Sequence, residues 1–184
     1  MISKNQRNFK IFIISSLILA FFSGLMGPFY VLFINKFTDN NVTYIGIGFG
    51  FFGIAFATIS YFAGKYSDKF GRKIFMITSG ILHGLLLVIY TFITKIYQLY
   101  IVQFLDGMIS ATYATTATAL LADLTKKEDR GKKIGKYNSI VGVFSSIALI
   151  FSGFLVSKYG FKFIFYIVAL GLFIATLLLF RIKE

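Results

Sequence analysis

Six long stretches of this chain are almost free of charge: Ile11 to Ile34, Tyr44 to Gly64, Ile74 to Thr94, Ile96 to Ala122, Tyr137 to Ser157 and Phe163 to Phe180. Each is close to the roughly 20 residues that a helix needs to cross the hydrocarbon of a bilayer. Only the fourth is interrupted, by Asp106. The expected fold is therefore an all-α membrane protein, six transmembrane helices in a single domain over residues 1–184. Composition agrees, because 57% of the 184 residues are hydrophobic and 14% charged, against about half and a quarter in soluble domains.

A net charge of +12 in a polar chain would point to nucleic acid. Here the basic residues sit in short segments between apolar runs, where topology requires them, so no nucleic-acid partner is expected. The basic start before Ile11 is not read as a signal peptide, since the apolar run is too long and lacks a small-residue cleavage site. With no cysteine and one histidine, disulfides, thiolate metal sites and a cysteine nucleophile are excluded, and no metal or cofactor is expected. Nor are carboxylates paired at a catalytic spacing, which disfavours an enzyme.

Orientation follows from lysine and arginine. Lys4, Arg7, Lys10, Lys65, Lys69, Arg72, Lys73, Lys126, Lys127, Arg130, Lys132, Lys133, Lys136, Arg181 and Lys183 fall in one set of connecting segments, fifteen of the 19 basic residues. Lys36, Lys95, Lys158 and Lys162 occupy the alternate segments. The bias places both termini in the cytoplasm of a multi-pass protein of the cell membrane.

Within the spans, polarity is sparse. Pro28, the one proline, follows Gly24 and Gly27 in the first helix; the expected kink serves either packing or the shape of a substrate path. Gly46, Gly50, Gly53, Ala57, Ser60 and Gly64 recur at steps of three and four, a smooth face that another helix could approach closely. His83 reads as a hydrogen-bonded core residue or, alternatively, a proton carrier. Gln103, Asp106, Ser110 and Tyr113 form one stripe of the fourth helix. A carboxylate in a span costs several kcal/mol unless paired, hydrated or protonated, so Asp106 should face a cavity or a partner. In the fifth helix Asn138 and Ser145 are further polar positions.

An internal repeat organises these helices. Gly64, Lys69, Phe70, Gly71 and Lys73 have counterparts 89 residues later at Gly153, Lys158, Tyr159, Gly160 and Lys162, while Asp68 and Arg72 become Ser157 and Phe161. The chain thus reads as two three-helix units, the second inverted because an odd number of spans separates the copies.

The segment Gly64, Asp68, Lys69, Gly71, Arg72, Lys73 resembles the signature between helices 2 and 3 of the major facilitator superfamily. Asp123 with Arg130 and Gly131 is similar to the acid and Arg-Gly pair that follow helix 4 in that family, and Gly160-Phe161-Lys162 with Phe165 to its Gly-Trp-Arg and downstream phenylalanine. The resemblance covers the amino-terminal six-helix half of a twelve-helix transporter. It implies a secondary transporter moving a small organic solute by alternating access, as drug or metabolite efflux or as nutrient uptake; a non-transporting membrane subunit is the other reading. It further implies that the Gly64 to Lys73 segment acts as a latch against a second six-helix half, covalently continuous or a second copy. Two departures weaken proton-coupled export: Gln103 stands where the family often has an arginine, and Ala148-Leu149 where exporters carry Gly-Pro. Tyr30, Gln103, Asp106, Tyr113, Asn138 and Ser145 are the candidate cavity residues, with Asp106 the candidate proton or cation carrier.

Overall fold

The computed structural model describes residues 4–38 and 41–182. Among these residues every regular element is helical: α1 at Lys4–Gly24, α2 at Phe29–Asn35, α3 at Val42–Phe70, α4 at Arg72–Tyr90, α5 at Ile96–Asp123 and α6 at Arg130–Leu179, the last preceded by a 3-10 turn at Lys127–Asp129. The protein is an all-α membrane protein. Asn5–Gly24, Val42–Phe70, Arg72–Tyr90 and Lys127–Leu179 are long and apolar enough to cross a bilayer. The last, at 53 residues, has the length for two crossings. At 28 residues α5 is also long enough, but its polar stripe lowers its average apolarity.

The first apolar run is not one kinked helix. α1 ends at Gly24 and α2 begins at Phe29, because Pro28 has no N–H with which to continue the ladder and Gly27 takes φ 34°. The chain re-enters helix when Tyr30 N–H donates to Met26 and Val31 N–H to Pro28.

Two glycine corners divide the remaining long stretches. Gly71, φ 93° and ψ 137°, ends α3 and starts α4. Gly160, φ 76° and ψ 174°, breaks α6 into arms spanning residues 130–159 and 161–179. Positive φ with extended ψ is a region that essentially only glycine occupies. The two corners fall at the paired positions of the sequence repeat.

Packing places α1, α2, α4, α5 and the second arm of α6 at the centre. One apolar cluster joins Leu25, Phe33, Leu87, Leu99, Phe165 and Leu172. A second, at the end that carries Arg72 and Lys73, joins Phe12, Met76, Leu120, Leu121, Leu179 and Ile182. In lipid, apolar side chains gain little by leaving the tails, so helices associate through close fit and internal hydrogen bonds. Ser15 accordingly donates to the Ala175 carbonyl at 2.7 Å, binding α1 to α6. α3 and α5 meet where Gly107 lies against the Phe52 backbone carbonyl, a space that a methyl group would fill.

The small-residue face read on α3 does not make that contact. Around Gly46, Gly50 and Gly53 there is open space; of the residues that α3 buries, Gly48 and Ala55 are on the other side of the helix and Ala63 and Ser67 on its flank. Among the glycines of the expected face, Gly64 has a neighbour, the Thr115 methyl, which a side chain added there would meet. α3 and the first arm of α6 therefore lie at the margin with apolar faces uncovered, Ile54 being 65% and Ile150 77% exposed.

Candidate functional site

Three of the six candidate cavity residues come together. Tyr30, Gln103 and Asp106 line a cavity of about 240 Å³ with Ser23, Met26, Phe49, Phe52, His83, Leu87 and Tyr90. Its walls come from the broken first span, α3, α4, α5 and, through Val168, the second arm of α6, and the irregular turn at Gly27 forms part of them. The broken ladder thus borders a cavity, the setting in which a membrane helix tolerates unpaired backbone.

Asp106 is the charged centre. His83 Nε2 lies 3.2 Å from Oδ1, and the Ser110 hydroxyl donates to the same oxygen at 3.2 Å. The Tyr90 hydroxyl is 3.5 Å from Oδ2 and 3.2 Å from the Gln103 carbonyl oxygen. Tyr90 has a single proton to donate. When Asp106 is ionised, that proton can serve the carboxylate; when Asp106 is protonated, the acid can donate to Tyr90 and leave Tyr90 to bind Gln103. The cluster can therefore change its hydrogen bonding with the charge on Asp106. Gln103 Nε2 is buried and has no partner among the described residues, while the Tyr30 hydroxyl interacts with that of Tyr90. Tyr30 is fixed by rings, edge-on to Tyr90 and Phe165 at 5.6 and 6.5 Å.

The other three candidates lie elsewhere. Tyr113 shares the Asp106 face but sits two turns along, about 10 Å at 1.5 Å per residue, against the second apolar cluster. Asn138 is exposed on the first arm of α6. The Ser145 backbone lies against Gly24, closing α1 onto α6. What the single-helix stripe missed was the partner helix. His83 and Tyr90 are seven residues apart on α4, two turns on one face, and that spacing was the available signal. His83 lines the cavity, with Nε2 at ion-pair distance from the intramembrane acid.

A second polar centre forms at the Gly71 corner. Arg72 bonds Asp68 at 3.0 Å and Asp123, the last residue of α5, at 2.7 Å. Lys73 Nζ donates to the carbonyls of Phe180 and Ile182 at 3.0 and 2.6 Å. Lys69 lies over the Phe70 ring at 5.2 Å. These contacts join the ends of α3, α4, α5 and α6 around a hollow of about 400 Å³. Arg130, at the start of α6, keeps a buried Nε without a partner among the described residues and does not join the group. No cluster of metal-ligating side chains occurs among the described residues.

Comparison with known proteins agrees with this architecture. Residues 12–184 match the Major Facilitator Superfamily. The chain is 33% identical to an uncharacterized MFS-type transporter, YitZ, of Bacillus subtilis over 161 residues, covering 88% of this chain and 98% of that one. It is 25% identical to the MFS-type transporter MJ1560 of Methanocaldococcus jannaschii over 162 residues, 88% of this chain and 42% of that one. It is 28% identical to the multi-drug resistance efflux pump PmrA of Streptococcus pneumoniae over 158 residues, 84% of this chain and 39% of that one. The chain thus spans the length of one relative and less than half of the other two. It belongs to the major facilitator superfamily, a family of transporters.

Proposed function

We propose that the chain is one six-helix half of an alternating-access transporter for a small organic solute, with Asp106 as the group that binds a proton or a cationic substrate. The observation that carries this reading is the Asp106 carboxylate, placed in a cavity and held by His83 from a neighbouring helix at 3.2 Å. A buried acid is costly in lipid and marks ion or substrate paths. Aromatic walls from Tyr30, Phe49, Phe52 and Tyr90 suit an apolar body, while the Gln103 amide offers a hydrogen bond to a polar group. Relatives named as multi-drug resistance efflux pumps favour export over uptake.

The second half is part of the same proposal. The open faces of α3 and of the first arm of α6 give it a surface, and the Asp68, Arg72 and Asp123 group gives it a charged edge, in the cytoplasm on the basic-residue bias. Light scattering of the detergent-solubilised assembly should report two six-helix units per particle. A monomer of six helices with full activity would remove the second half.

The transport reading is tested in vesicles. A panel of aromatic cations and neutral metabolites is screened for thermal stabilisation of the assembly, and the hit is followed as flux with and without an imposed proton gradient. Asp106→Asn should lower gradient-driven flux at least tenfold while near-ultraviolet circular dichroism stays unchanged. Equal gradient-driven flux in the variant and the parent would remove Asp106 from the coupling role, and parent flux no greater than that of empty vesicles would favour a non-transporting membrane subunit.

A further inference from the structure

A third cavity, of about 450 Å³, lies apart from both polar centres, between α1 and the first arm of α6. Its floor is apolar, built from Phe9 and Ile13 on α1 and Tyr137 and Ile140 on α6. Three lysines surround that floor: Lys10 on α1, and Lys133 and Lys136 one turn apart on α6. Among the described residues no carboxylate lies within 4.0 Å of any of the three, since the ion pairs found are confined to Arg72 with Asp68 and Asp123 and to His83 with Asp106. Asp123, which borders an adjoining hollow with Lys133, is already held by Arg72 at 2.7 Å. Lys133 reaches over the Phe9 ring, 5.9 Å from its centroid. The groove is also remote from the proposed solute path. No described residue lines both this groove and the cavity around Asp106.

Unpaired ammonium groups above an apolar groove at the basic end of a membrane protein call for a ligand with an anionic head and a hydrocarbon tail. We infer that this groove binds one anionic phospholipid, its phosphate held by Lys10, Lys133 and Lys136 and the upper part of an acyl chain laid along Phe9, Ile13, Tyr137 and Ile140. The volume is within the roughly 300–1,000 Å³ of ordinary ligand pockets. A free phosphate would satisfy the lysines and leave the apolar floor unused. Each lysine near an anionic head contributes about fivefold in affinity, so three together support a preference well above tenfold over a zwitterionic lipid. A lipid seated there would join α1 to the first arm of α6 at the end where their lysines repel one another.

The test uses the full chain in its assembly, released from nanodiscs that contain equal amounts of phosphatidylglycerol and phosphatidylcholine, with bound lipid counted by native mass spectrometry. The expected result is one retained phosphatidylglycerol per chain and at least a tenfold preference over phosphatidylcholine. Lys10→Gln, Lys133→Gln and Lys136→Gln combined should reduce the preference to below threefold. Lys126→Gln, Lys127→Gln and Lys132→Gln combined remove the same charge outside the groove and should leave it intact. Equal loss in both triple variants would overturn the site in favour of diffuse surface attraction. Inorganic phosphate that displaces the lipid at equimolar concentration would overturn it in favour of a phosphate site. If the groove variant does not fold, the parent chain still decides the matter through a phosphatidylglycerol carrying a diazirine in its acyl chain. Label should fall on residues 9–14 and 133–140; label elsewhere, or crosslinks there to a second copy of the chain, would reject the proposal.

Discussion

At Gly71 the chain turns from α3 into α4 with φ 93° and ψ 137°, and at Gly160 it turns again with φ 76° and ψ 174°. The side chains that fasten each turn are different. Beside Gly71, Arg72 is fastened to Asp123 at the end of α5. Beside Gly160 the equivalent position is Phe161, and its ring lies 4.8 Å from the ammonium of Lys36 at the end of α2. Each corner therefore holds the end of the first span of the other three-helix unit, once through an ion pair and once through a cation over a ring. The repeat preserved the turn and the position of the contact, and the chemistry was free to change. The ion-paired corner also brings two acids, Asp68 and Asp123, to one arginine, whereas the contact at the ring corner is a cation over a ring.

The strongest test of the equivalence is backbone substitution. Gly71→Ala and Gly160→Ala should each destabilise by about 1–3 kcal/mol, read as the midpoint of denaturation in mixed micelles. A large cost at one and none at the other would show that the shared backbone is not a shared constraint. A smaller loss, about 1 kcal/mol, is expected for Lys73→Ala, which removes the two carbonyl contacts that tie α4 to the chain after α6. Phe161→Leu should cost about 0.5–1 kcal/mol by removing the Lys36 contact, with transport unchanged. The smallest stability change, a few tenths of a kcal/mol, is expected for Arg72→Gln, since Asp68 and Asp123 are 64% and 58% exposed and water screens the pairs. Yet that variant should change flux in vesicles, whereas Phe161→Leu should not. The reverse pattern would assign the switching role to the other corner.

Much of the architecture was readable because length and charge act locally. A run without charge has to span, and a glycine flanked by lysines at a span end has to turn. The 89-residue shift pointed to Gly160, where φ 76° and ψ 174° break the helix. The break between α1 and α2 was only half legible: Pro28 announces a lost hydrogen bond, but whether the helix bends or stops depends on Gly27 adopting φ 34°. For α3, periodicity found a smooth face and could not say whether any helix of this chain would cover it. The same limit governed the site. Asp106 stood out because its charge is anomalous wherever the helix points, whereas His83 and Tyr90 became partners only once α4 was packed on α5. Tyr113 shares the Asp106 stripe and Asn138 and Ser145 are polar, but neither a stripe nor polarity reports height in the bilayer or the neighbour a face meets.

The polarity of α5 also bears on how the protein is made. As it emerges from the ribosome, α5 carries Asp106, Gln98 and Gln103 and falls short of the apolarity of the other spans. Leaving the translocation channel alone would expose a carboxylate to lipid at a cost of about 2.5–3.5 kcal/mol. His83 and Tyr90 belong to α4, which is synthesised immediately before it. The residues that hold the acid in the finished fold are thus already in the membrane when it arrives, and α4 and α5 are expected to insert as a hairpin. Removing His83 and Tyr90 together should then lower the yield of inserted protein before it affects any step of transport.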